Sequence, residues 1–126
     1  MPKTERSSYR LKPRFRVLKG GTIVLGPGKA DLLEAIGHTG ELRSAARRLG
    51  MSYMRAWTLL GQMNRSFRRP LVETARGGKL HGTAHLTPLG RRVLTLYREI
   101  ERDSRAAAGP AWNRLRRLLP TGIRST

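Results

Sequence analysis

The sequence predicts a mainly α fold with small β-hairpins, of the α+β class, and three observations carry that expectation. The first is a pair of helical stripes on either side of a glycine in the stretch from Glu41 to Asn64, ELRSAARRLGMSYMRAWTLLGQMN. The second is a pair of glycine-centred hairpin patterns, one ahead of that stretch and one behind it. The third is a long apolar stripe opening at Thr87-Pro88, a hydroxyl N-cap followed by proline at the first helical position.

The central stretch organises the chain. Leu42, Ala45, Ala46 and Leu49 follow the i, i+3, i+4, i+7 spacing of one buried helix face, and the alanine pair leaves room for a second helix to come close. Gly50 ends this first helix, and Met51 is placed to plug the corner. Ser52 stands where an N-cap oxygen is wanted, ahead of a second stripe, Ala56, Leu60 and Met63. Two short helices around a glycine-containing turn make a helix-turn-helix over 41–64. In such units the second helix commonly lies in the major groove of DNA, with its first residues on base edges, while the first helix crosses the backbone. That makes Ser52, Tyr53, Arg55 and Thr58 candidate DNA contacts, with Arg43 and Arg47 on the first helix. Arginine can take guanine O6 and N7 together, a pairing worth about 1–3 kcal/mol of discrimination. Trp57 is read as packing rather than as a base contact.

Charge points the same way. The chain has 126 residues, 26 Lys and Arg against 8 Asp and Glu, and a net charge of +18, which favours a polyanionic partner. With no cysteine, disulfides and thiolate metal sites are excluded. No apolar run approaches the roughly 20 residues of a membrane span, and no signal-peptide core follows the N-terminus. A cytoplasmic, nucleoid-associated location in a bacterium or archaeon, with no membrane partner, is therefore expected.

In chain order, 1–13 reads as a flexible basic arm, lacking periodicity. Arg14 to Gly26 alternates as a hairpin around Lys19-Gly20-Gly21, with Phe15, Val17, Ile23 and Leu25 as inward positions. Gly26-Pro27-Gly28-Lys29 then opens a helix containing Leu32, Leu33 and Ile36. The spacing is not that of a P-loop, but the helix N-terminus with Lys29 beside it suits a DNA phosphate. Behind the central motif, 71–86 forms a second hairpin whose loop carries Arg76, Gly77, Gly78 and Lys79. A hairpin directly after a recognition helix is a wing, and its glycines let backbone approach the sugar-phosphate surface. The helix from Pro88 presents Leu89, Val93, Leu96, Tyr97 and Ile100, more apolar face than a small domain covers, and so a candidate dimer seam. Gly109-Pro110 is expected to stop it. A last short helix, Ala111 to Leu119, completes the C-terminal region 87–119, and 120–126 is expected to fray. The architecture is a winged helix-turn-helix over 14–86 with a long C-terminal dimerisation helix.

In this order the motifs GPGK, LLEAI, AARRLGMSYMRAW, QMN, PLVET and LTPLG resemble the N-terminal DNA-binding domain of the ModE-type molybdate-dependent regulators, relatives of the LysR-type winged helices. The resemblance covers roughly Arg14 to Arg105, and Met51–Trp57 and Leu71–Lys79 are its most specific parts. It implies a homodimer joined through the helix behind the wing and operator binding by the helix from Ser52 and by Gly77, Gly78 and Lys79. In those regulators a C-terminal domain binds the oxyanion. None is visible here, so no molybdate-sensing domain and no response to molybdate are expected of this chain.

An enzyme is not expected. His38, His81 and His85 lack metal-ligand spacing, and no carboxylate clusters with a Ser or His nucleophile. Neither cofactor nor metal is implied. The expected function is a sequence-specific transcriptional regulator on double-stranded DNA, dimeric on a pseudo-palindromic operator. The alternative is a sequence-independent nucleoid-associated or RNA-binding basic protein, in which no particular side chain is needed at the recognition-helix start.

Overall fold

The computed structural model describes residues 8–75 and 82–120, and within them four helices and two antiparallel hairpins. In chain order these are β1 (Val17–Lys19), β2 (Thr22–Leu25), α1 (Pro27–Thr39), α2 (Leu42–Arg48) and α3 (Tyr53–Ser66). The wing strands β3 (Val72–Thr74) and β4 (Ala84–Leu86) follow, and α4 runs over Pro88–Arg116. The fold is thus α+β, a winged helix with a long C-terminal helix. Among the described residues two compact units are present, Arg14–Arg98 and a second formed by residues 8–13 with 99–120. The first unit holds the core.

Helical period and burial agree closely in the middle of the chain. Leu32, Leu33 and Ile36 of α1, Leu42, Ala45 and Ala46 of α2, and Ala56, Leu60 and Met63 of α3 form one buried cluster. Leu71, Val72, Ala84 and Leu86 bring the wing strands into the same cluster. Burying each large apolar side chain of this kind contributes about 1.5–3 kcal/mol before entropy is counted. The alanine pair is what lets α2 sit flush on its neighbours, since both residues are almost wholly inaccessible.

The wing is rooted by polar contacts as well. Asn64, near the end of α3, accepts from the Leu71 amide at 2.8 Å and the Val72 amide at 3.2 Å, and donates to the Val72 carbonyl at 3.0 Å. Thr87 donates its own amide to the Leu71 carbonyl at 2.9 Å and caps α4 by accepting from the Gly90 amide at 3.0 Å. Gly90 packs directly on the Leu71 backbone, so that a Cβ there would overlap the Leu71 carbonyl oxygen. No side chain but hydrogen fits.

Three expectations need correction. In the first hairpin only Leu25 is buried, Val24 is half-buried, and Phe15, Val17 and Ile23 remain 40–47% exposed. The pairing shifts between Val17 and Leu18, so that Val17 faces Leu25 while Leu18 faces Ile23. The bulge breaks the alternation on which the inward set was based.

Second, α4 does not stop at Gly109-Pro110 but continues to Arg116. Proline removes one amide and crowds the carbonyl four residues back, yet its φ is itself helical. Ala106, whose carbonyl loses its partner, is exposed to water, and alanines on both sides of the Gly-Pro step favour helix.

Third, the apolar stripe of α4 is split. Leu89 and Val93 pack against the core of their own chain, as does Leu94. Tyr97 is 2% exposed, grouped with Leu25 and Ala30, and donates its hydroxyl to the Phe15 carbonyl at 2.7 Å. Only Leu96 and Ile100 keep about half their surface, 47% and 49%. Arg98 anchors the helix beside Tyr97, with Nη2 2.8 Å from carboxylate oxygens of both Asp31 and Glu34 on α1.

The Leu71 junction yields a stability prediction. Gly90→Ala should lower unfolding free energy by about 1–3 kcal/mol through overpacking. Asn64→Ala should cost about 1–3 kcal/mol for each wing-root group left buried without a partner. Urea denaturation followed by circular dichroism measures both, and wild-type midpoints would contradict the account.

Candidate nucleic-acid interface

The geometry of the motif starts at Gly50. Its φ of 69° lies in the left-handed region, which glycine enters without a Cβ clash. The amide of Met51 returns to the Ala46 carbonyl at 3.0 Å, closing the corner. Ser52 then does what its position predicted, accepting from the Arg55 amide at 3.0 Å as the N-cap of α3. The cap determines where α3 begins. It therefore also determines which side chains lie on its exposed first turn.

Ala56, Leu59, Leu60 and Met63 turn α3 into the core, while Met54, Arg55, Thr58, Gln62 and Arg65 lie on its exposed surface. Arg55 makes no ion pair among the described residues. Thr58 is exposed, its hydroxyl donating to the Met54 carbonyl at 3.1 Å. Tyr53 is half-buried against the core and meets Trp57 edge to face, with ring centroids 6.3 Å apart. Arg43 of α2 lies over the Tyr53 ring, its guanidinium carbon 4.4 Å from the ring centroid. Stacked in this way, Arg43 keeps its charge and all its donors while losing freedom of the stem. Arg47 is exposed on α2. Trp57 is half-buried and packs on the core, as expected of it.

The wing base is tied to the same corner. Thr83 bridges Glu41, and the Ala84 amide donates to the Gly40 carbonyl at 2.9 Å. A recess of about 260 Å³ between α2, α3 and the wing is lined by Arg43, Tyr53, Trp57 and Thr83 among others. Arg76, Gly77, Gly78 and Lys79 lie outside the described residues.

Lys29 does not take the place foreseen for it. Its side chain is buried, and Nζ donates to the Ile23 carbonyl at 2.7 Å rather than projecting outward. Burial desolvates the ammonium and lowers its pKa below the usual 10.5. Lys29 thus ties α1 to β2, a role that only the folded neighbourhood of Ile23 reveals.

Across α3 from the wing lies a larger open cleft of about 640 Å³, between the first hairpin, the start of α1 and α3. Arg14, Arg16, Arg55 and Arg65 line it with Lys29, and among the described residues no carboxylate does. Sequence reasoning passed over Arg14, Arg16 and Arg65. The signal for Arg65 was legible, since Arg55, Thr58, Gln62 and Arg65 recur at i, i+3, i+7 and i+10 on one helix face.

No family model matches the chain. Among curated proteins, the "Molybdenum-pterin-binding protein MopB" of Rhodobacter capsulatus is 43% identical over 77 residues, 61% of this chain and 28% of that protein. The "Transcriptional regulator ModE" of Yersinia pestis is 44% identical over 71 residues, 56% of this chain and 27% of its own length. The "DNA-binding transcriptional dual regulator ModE" of Escherichia coli K12 is 39% identical over 71 residues, with the same shares. The matched part is the N-terminal 60% or so of this chain. That segment is similar in sequence to the ModE and Mop proteins. The chain spans only 26–33% of the length of the ModE, MopA and MopB relatives. The helix-turn-helix, the wing strands and both clefts that flank α3 lie within the unit Arg14–Arg98.

Lys29 supplies a pH test. Because folding lowers its pKa, the unfolded chain binds its proton more tightly between the folded value and 10.5. The cost of burying the charge is present below the folded pKa and disappears as pH rises towards 10.5. Wild type should therefore gain stability relative to Lys29→Met between neutral and alkaline pH. Paired urea titrations over that range check the sign, and a difference that is flat or falls with pH would contradict it.

Proposed function

We propose that this chain is a sequence-specific, DNA-binding transcriptional regulator, acting as a homodimer on a pseudo-palindromic operator in the cytoplasm. The observation that carries the reading is the exposed start of α3. Ser52 caps the helix, Arg55 stands on its solvent face, and Tyr53 is braced by Trp57 and Arg43. A helix so mounted can enter a major groove of about 12 Å width. Arg55 is then the base reader, with Ser52, Tyr53 and Thr58 beside it. Arg43 and Arg47 contact the backbone, as do Arg76, Gly77, Gly78 and Lys79 of the wing. The net charge of +18 supplies the sequence-independent part of the affinity. The names of the ModE relatives, transcriptional regulators rather than enzymes, support the same class. Among the described residues no helix is long and apolar enough to cross a membrane.

In this reading the dimer surface consists of Leu96 and Ile100, supported by their being half exposed and one turn apart on α4. Tyr97, buried in its own chain, is left out of it, and Leu89 and Val93 serve mainly the intrachain core.

Two experiments address the reading. Arg55→Ala should cost about 1–3 kcal/mol on a duplex selected by the wild-type protein and should relax base preference at one position. Equal weakening on selected and random duplexes would instead mean binding by charge alone. Leu96→Asp alters a side chain that the monomer leaves 47% exposed, so the fold should survive while the dimer is lost. Light scattering should report a dimer for wild type and a monomer for the variant. A monomeric wild type, free and on DNA, would remove the dimer.

A further inference from the structure

We propose that the cleft between the first hairpin, the start of α1 and α3 is a second phosphate track, which holds the DNA backbone on the side of α3 opposite the wing. The inference rests on the reading of α3 as the groove-binding helix and adds to it a surface that reaches beyond the motif and the wing to the first hairpin and the start of α1.

The geometry is that of a trough lined by cations. Arg14 and Arg16 come from the segment leading into β1, and Arg55 and Arg65 from the two ends of one face of α3. No ion pair engages any of these four among the described residues. The Arg16 stem crosses Gly26, since a Cβ there would lie 3.4 Å from its Cγ. Gly26 is the N-cap of α1, where no side chain supplies a cap and the first turn holds no acidic residue. The positive end of the α1 dipole therefore faces the cleft uncompensated. Arg65 lies back along α3, its guanidinium 3.1 Å from the position a Cβ of Gly61 would occupy. Glycine inside a helix costs roughly 1 kcal/mol relative to alanine, and here the space it leaves is filled by that guanidinium.

The shape selects the occupant. Arg55 and Arg65 are ten residues apart, so their backbone positions lie roughly 15 Å apart along the helix at 1.5 Å per residue. Even with the Arg65 guanidinium turned back over Gly61, the two charges are spread over about two turns. That is longer than one tetrahedral oxyanion and suits a run of backbone phosphates. A helix in the major groove has a sugar-phosphate strand on each flank, and the wing side already carries Arg43 and the wing base. The hairpin side is where the second strand passes. Arg55 borders both the groove face and this cleft, so it joins base reading to backbone clamping.

The test uses the full chain, a fluorescein-labelled duplex selected from a random pool by the wild-type protein, and a scrambled duplex of equal length. The triple variant Arg14→Ala/Arg16→Ala/Arg65→Ala is compared with wild type and with the corresponding triple lysine variant. Affinities are measured by anisotropy from about 50 to 200 mM salt. The alanine variant should lower the slope of log K against log salt by about two to three units, near 0.9 per phosphate lost. It should weaken both duplexes alike, by on the order of tenfold or more, keeping their ratio. The lysine variant should retain most of the slope, which separates charge from folding. Hydroxyl-radical footprints should lose protection on the strand away from the wing and nowhere else.

A wild-type slope and footprint for the alanine variant would overturn the phosphate track while leaving α3 as the reader. Failure of wild type to prefer the selected duplex would overturn that reading and the track with it. Displacement of DNA by millimolar inorganic phosphate at constant ionic strength, lost in the alanine variant, would reassign the cleft to a free oxyanion and overturn DNA docking.

Discussion

The close approach of α4 to the backbone of Leu71 is the constraint on which the rest of the winged fold depends. Leu71 is fully buried, yet its amide and carbonyl are both satisfied, the one by Asn64 of α3 and the other by Thr87 at the start of α4. Gly90 removes the one side chain that would keep α4 away. Three elements are thereby registered at one residue: the end of α3, the first wing strand and the cap of α4. An unpaired buried amide or carbonyl would cost about 1–3 kcal/mol, so the junction tolerates little sliding. The wing strands then reach the α1–α2 corner, where the Ala84 amide meets the Gly40 carbonyl, and they come to lie beside the start of α3.

The two ends of α3 are held by different means. Its start depends on one hydroxyl cap and on the Arg43–Tyr53–Trp57 arrangement, and its end on Asn64. Between them, the buried stripe leaves one continuous polar face from Arg55 to Arg65. A helix fixed at both ends can present arginines to a polyanion without paying for their placement anew at each encounter. Among the described residues no acidic side chain lines the large cleft, and on α1 the carboxylates lie at Asp31 and Glu34, where Arg98 holds them.

Helix α4 is the element in which pattern and packing diverged most. An apolar stripe of five residues looks like surplus when the domain is judged by size alone. In the fold, Tyr97 is taken up by Leu25, Ala30 and the Phe15 carbonyl, and Leu89 and Val93 by the main core. The surplus shrinks to Leu96 and Ile100. Pro110 failed as a stop for a related reason. A helix is governed by the sum of its residues, and one lost hydrogen bond at a solvated carbonyl does not outweigh alanine-rich flanks.

What the sequence determined by itself was everything governed by local period and backbone chemistry. This includes the two helices around Gly50, the Ser52 cap, the wing strands, the Thr87-Pro88 start and the ModE-type resemblance. Each depends on residues within a few positions of one another, where helix period, capping oxygens and glycine φ act directly. The tertiary structure alone decided the partners of residues far apart in the chain. It turned Lys29 inward onto Ile23, placed Tyr97 beneath Phe15, set Asn64 under the wing and brought Arg14 and Arg16 opposite Arg65. A lysine at a helix N-terminus has the same sequence whether it faces water or a carbonyl, and an arginine in an alternating strand does not announce its neighbours. Their roles follow from which surfaces the core brings together, and that is a property of packing rather than of pattern.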